Sequence, residues 1–157
     1  MNIATILNFT TLFFAGLLAG ALFIIDYGVG PAVAAVLDEQ AQIKIRQAVI
    51  LSLRILMPAI FILTILLGGA TTVLDRFAVG FAFRFAGLLA ALISFLFALT
   101  GTAPINATVL TWQPGEPPKD WRTQVDRWQQ FDRVRTWVAI TAFALFLIAT
   151  ALKLTVH

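Results

Sequence analysis

Four long apolar runs, each about 20 residues where the run is complete, constrain this chain more than any other feature. They cover about 6–25, 49–71, 77–99 and 134–152. In water all of them would need burial, and 157 residues are too few, because small domains bury only a modest share of their surface. The composition is 60% hydrophobic and 12% charged, with a mean hydropathy of +0.91. Soluble domains run at about 45–50% and about 25%. The excess must face lipid, where helices satisfy their own backbone. The expected fold is all-α: one integral membrane domain over 1–157, built as a four-helix bundle whose helical extensions cap one face. The same balance excludes nucleic-acid binding, disorder and a disulfide-stapled secreted module. The first run lacks a basic leader and is too long for a signal-peptide core, so it reads as a span. The pI near 10.0 reflects a net charge of only +3, with Lys and Arg scattered.

Cysteine is absent, which removes thiol catalysis, Fe–S clusters and disulfides together. The single histidine, His157, reads as a terminal bystander. Nothing inside the chain then offers an imidazole to a haem or a metal. No metal and no cofactor are expected.

Asp75 and Arg76 form a tight connection between spans two and three, which makes them an antiparallel hairpin. From Ala32 to Met57 there is neither glycine nor proline, and Pro31 suits a first helical position. Span two is therefore expected to start as a helix outside the membrane. The chain from Lys119 onward has the same character, after the loop chemistry of Trp112-Gln113-Pro114-Gly115-Glu116-Pro117-Pro118. These extensions, at about 31–48 and 118–133, fall on one side and form the cap. Lys44, Arg46, Arg54, Lys119, Arg122, Arg127, Arg133 and Arg135 lie on that side, leaving Arg76, Arg84 and Lys153 for the rest. The positive-inside rule then puts the cap in the cytoplasm and both termini outside, in a bacterial inner membrane. No internal repeat is evident.

Trp121, Val125, Trp128, Asp132 and Arg135 follow steps of four, three, four and three, which is one helix face. The first three form a stripe that packs either against the other extension or among lipid headgroups. Asp132 and Arg135 can pair where the helix enters the membrane. Gln40, Ile43, Gln47, Ile50 and Arg54 make a second face by the same steps. Asp26 and Tyr27 close span one on this side, and Asn106 lies just past span three. A ring of Asp26, Tyr27, Arg54, Asn106, Asp132 and Arg135 at one membrane level is the pocket candidate. Arg84 lies eight residues beyond Arg76, about 12 Å along a helix rising about 1.5 Å per residue. At that depth it must pair or snorkel. Gly16 and Gly20 form a GxxxG, a close-packing motif that serves either inside the bundle or in a homo-oligomer.

Gly30-Pro31 after span one, Pro104-Ile105-Asn106 after span three, and Arg127-Trp128 with Arg135-Thr136 leading into span four occur in a familiar order. In these features, and over nearly the whole length, the chain resembles the anthrone-oxygenase-like family of small four-span membrane proteins. Members often carry a histidine between that Trp and Arg, where this chain has Asp132. The resemblance implies oxidation of a hydrophobic aromatic substrate of the anthrone type, without a cofactor. It assigns Asp132 as base, Arg135 as stabiliser of the developing anion, Asn106 as donor to the substrate oxygens and Trp128 as a stacking wall. Two other readings stay open. One is a non-catalytic bundle that binds a lipid or quinone-like molecule; the other is an accessory subunit of a membrane complex.

Overall fold

The structure, a computed structural model, describes residues 3–155; His157 lies outside them. Its regular elements are helical, and four helices are long and apolar enough to cross a membrane: Ile3–Ala34, Leu56–Leu74, Phe81–Thr111 and Trp121–Thr155. The protein is an all-α integral membrane bundle. Its outward faces carry Phe13, Ile55, Leu66 and Phe77, all more than half exposed.

The first crossing is α1 (Ile3–Ile24), a π-helical turn (Ile25–Val29) and α2 (Gly30–Ala34) in one continuous run. In the π-turn the Gly30 N–H bonds to the Ile25 carbonyl, five residues back. That wider turn accommodates Pro31, which has no N–H and whose ring would crowd the carbonyl four residues earlier. Pro31 therefore prolongs the first helix and does not begin the second, contrary to the sequence reading. The chain reverses over 35–38, and the Asp38 side chain accepts from the Gln40 N–H at 3.1 Å to cap α3 (Glu39–Leu53).

Arg54 and Ile55 separate α3 from α4 (Leu56–Leu74). The cause is Pro58, whose ring excludes the Arg54 carbonyl from a regular turn. The expected uninterrupted helix from Ala32 to Met57 is thus broken twice. After α4 the chain turns over 75–80 and leaves through Gly80 at φ +89°. A Cβ there would sit 2.8 Å from the Ala149 carbonyl oxygen, so only glycine fits both the backbone and the space.

α5 (Phe81–Phe97) then repeats the first pattern. A second π-turn (Ala98–Thr102) leads into α6 (Ala103–Thr111), with Pro104 two residues past the turn, as Pro31 is past the first. Gly28-Val29-Gly30-Pro31 and Gly101-Thr102-Ala103-Pro104 share the pattern Gly-x-small-Pro where the two π-turns end. Asn106 consequently lies on a helix. α7 (Trp121–Thr155) runs unbroken from the cap through the membrane.

Small residues let the helices approach one another. Gly68 and Gly87 pack against Phe146, while Gly16 packs against Phe143 within the same chain. Gly20 has open space beside it. Buried threonines satisfy their hydroxyls on their own helix, as Thr11 does on the Leu7 carbonyl and Thr64 on the Ile60 carbonyl, both at 2.8 Å. At the termini side Asp75 gathers Lys153 Nζ at 2.7 Å, Asn8 Nδ2 at 2.9 Å and Arg84 at 3.4 Å. Burial would raise the Asp75 carboxyl, but these hydrogen bonds and the Arg84 charge outweigh it and hold it below the usual range. Arg84 sits in the first turn of α5, because the turn at 78–80 delays the helix. It is therefore paired near the connection and not deep in the hydrocarbon.

In the cap, Ile43, Ile50, Val109, Trp112, Trp121, Val125 and Trp128 form one buried cluster. Of the two readings for the tryptophan stripe, packing against the other cap helices is the observed one. Gln47 Nε2 donates to the Val109 and Trp112 carbonyls at 2.9 Å each, fastening the end of α6 to α3.

Candidate functional site

Where the cap meets the bundle, the helices separate around a cavity of about 420 Å³. The two π-turns, the α3–α4 break, α6 and α7 all border it, so three irregularities of the helices contribute to one space. Its walls are apolar, with Val33, Ile50, Met57, Phe61 and Phe95 among them. Arg54, Pro58, Leu99, Ala103 and Leu110 line it and are themselves exposed, which opens it sideways between α3–α4 and α6.

The polar groups converge from four directions. Asp132 Oδ1 accepts from Thr102 Oγ1 at 2.8 Å and pairs with Arg135 at 3.0 Å. Ser94 Oγ donates to the Arg135 carbonyl at 2.9 Å, fixing that turn of α7 against α5. Asp26 lies within electrostatic reach of both Asp132 and Arg135. Asn106 and Trp128 complete the lining, with Arg54 at the sideways mouth. Five of these buried polar atoms have no hydrogen-bond partner among the described residues: Asp26 Oδ2, Asn106 Oδ1, Trp128 Nε1, Arg135 Nε and Arg46 Nε.

The structure therefore gathers Asp26, Arg54, Asn106, Trp128, Asp132 and Arg135 around one cavity. Tyr27 is not among its lining residues. Neighbouring residues on a helix point roughly 100° apart, so with Asp26 turned inward Tyr27 faces the bilayer. There it stacks on Phe23 at 4.9 Å and accepts from Trp137 Nε1 at 2.8 Å. This pair, and not Trp121 with Trp128, forms the exposed aromatic edge at this level.

Three polar lining residues escaped the sequence reading. Thr102 lies inside the second Gly-x-small-Pro segment, and only comparison with the first would have marked it. Arg46 stands four residues before Ile50 and eight before Arg54, a helical spacing that places it on their face. Gln129 stands three residues before Asp132. Arg46 is 5% exposed, and its guanidinium lies 5.7 Å from the centre of the Trp128 ring. Burial pushes its pKa below the usual arginine range, and the nearby Asp126 opposes that.

Among the described residues no three His, Cys, Asp or Glu side chains converge to hold a metal ion. The cavity instead offers unpaired donors beside unpaired acceptors in an apolar slot. Each such buried atom costs about 1–3 kcal/mol while it lacks a partner. A guest with an apolar body and oxygen functions at its edge would relieve that cost. No protein-family model, no curated protein and no solved structure matches the chain.

Proposed function

We propose that the protein binds a hydrophobic aromatic ketone of the anthrone type from the bilayer and oxidises it with molecular oxygen, without a cofactor. The observation that carries this reading is the apolar cavity with unpaired Trp128 and Arg135 donors beside unpaired Asp26 and Asn106 acceptors. The ketone oxygen lies against Arg135 and Trp128 Nε1. Asp132 Oδ1 is engaged by Thr102 and Arg135, while the buried Asp26 Oδ2 has no hydrogen-bond partner among the described residues, and this favours Asp26 for proton transfer. In this reading Asp132 orients Arg135, and Asp26 takes the base role that the resemblance gave to Asp132.

Asp26 removes a proton from the methylene carbon opposite the ketone, and the charge moves to the ketone oxygen, where Arg135 stabilises it. The enolate passes one electron to oxygen, and the radical pair joins as a carbon–oxygen bond. The resulting peroxide breaks its O–O bond as the second methylene hydrogen leaves. One anthrone and one O₂ thus give one quinone and one water.

Oxygen uptake with anthrone, measured in lipid nanodiscs against protein-free discs, tests the proposal. Asp26→Asn should lower turnover by about 10²–10⁴-fold, the usual share of a positioned base. Trp128→Phe should weaken anthrone binding without loss of folding, since it removes an unpaired donor and keeps an aromatic six-membered ring in the cluster. Turnover unchanged in Asp26→Asn would refute the base assignment. Saturable binding without oxygen uptake would leave the binding reading and remove the catalytic one. A bacterial inner membrane is the proposed location, with the cap, which holds most of the basic residues, in the cytoplasm.

A further inference from the structure

Two hollows of this protein meet at one pair of side chains. On one side of Arg46 and Gln129 lies the membrane cavity. On the other lies a groove of about 410 Å³ in the cap, bordered by Leu37, Gln42, Arg122 and Asp126. Arg46 and Gln129 line both spaces. Arg46 is almost wholly buried there, and its Nε has no hydrogen-bond partner among the described residues. What holds it is the face of Trp128 and the distant charge of Asp126. Such a side chain can change rotamer without breaking a strong bond.

The charge of the membrane cavity favours anions. In the membrane cavity Arg46, Arg54 and Arg135 outnumber Asp26 and Asp132; in the groove Arg122 pairs with Glu39, which leaves Arg46 against Asp126. A positive excess between low-dielectric walls concentrates anions and disfavours cations.

We propose that Arg46 and Gln129 form a gate through which water and small anions pass between the cap groove and the membrane cavity. The cavity is then reached from two phases: apolar guests come sideways from lipid, and polar ones come past Arg46. This does not depend on the oxidation reading, because it concerns access and not turnover.

The chain has no cysteine, so one introduced thiol reports access without further changes. Ala98→Cys places it on the cavity wall, and Val49→Cys is a second site should the first variant fold poorly. The probes are an anionic methanethiosulfonate (sulfonatoethyl) and a cationic one (trimethylammonioethyl), applied to nanodiscs whose lipid shields the sideways mouth. Gln113→Cys, exposed and outside both hollows, sets the rate for open water. Relative to that control, the anionic reagent should modify the cavity thiol about tenfold faster than the cationic one, the scale of field focusing in a charged cleft. Arg46→Gln should abolish that preference while both reagents still react. A cavity thiol that reacts with N-ethylmaleimide but with neither charged reagent would overturn the gate. So would equal rates for the two reagents with Arg46 in place, or a preference that survives Arg46→Gln.

Discussion

Asp75 carries more than one partner, and removing it should expose that. Its carboxylate stands against Arg84, which is 1% exposed, and against Lys153. Asp75→Asn would strand the buried Arg84 cation, a loss of about 3–5 kcal/mol for a broken buried pair. Arg84→Gln in the same chain should recover part of it, because the stranded charge is gone; thermal melts of the three variants measure this. The sign with pH follows from the lowered carboxyl. The folded protein binds the Asp75 proton less readily than the unfolded chain, whose carboxyl titrates near about 3.9. The contribution is therefore full above about pH 4 and is lost as the pH falls through the lower folded value. A melting temperature that did not fall faster below pH 4 in the parent than in Asp75→Asn would contradict this. Arg84 also shows what a residue count leaves out: eight positions past Arg76 implies depth only if the helix starts at once. Gly80 makes the start late, and depth becomes proximity to Asp75.

At the scale of elements, the π-turns link proline placement to the site. Each ends two residues before a proline, and each turns a polar side chain inward: Asp26 from the first and Thr102 from the second. Gly101 lets the second turn touch α7. A Cβ there would lie 2.5 Å from Phe131 Cδ1 and 3.1 Å from Phe131 Cβ. Gly101→Ala should therefore push α7 away one residue before Asp132, at an overpacking cost of about 1–3 kcal/mol. Phe131→Ala should relieve part of that cost, because it removes the nearest atoms, Cδ1 and Cγ. The readout is the melting temperature together with binding of anthrone. A Gly101→Ala protein as stable as its parent would show that the turn and α7 have room to separate. The helix breaks were only half legible beforehand. Pro58 disfavours a regular turn four residues before it, a break the sequence reading did not draw, and Pro31 could equally well have begun a helix. Local chemistry did not distinguish these readings; the five-residue hydrogen bond of the π-turn does.

For the whole molecule, the cap decides how the bundle is used. Trp112, Trp121 and Trp128 bury into a cluster that joins α3, α6 and α7 above the membrane, and the cavity lies directly beneath. The proposed orientation is tested from the same face. Leu37→Cys, treated with a membrane-impermeant maleimide, should stay unlabelled in intact bacterial protoplasts and label after lysis; labelling without lysis would reverse the topology. Membrane residence, the number of crossings and the pairing face of Asp132 with Arg135 were all readable in the sequence. They depend on hydropathy and on spacing along a single helix, which are local quantities. The cavity, the outward turn of Tyr27, the pairing of Arg84 with Asp75 and the place of Arg46 between two hollows came only with the tertiary structure. Each depends on how far apart helices stand and how they are rotated, and that is set by packing between residues distant in the chain.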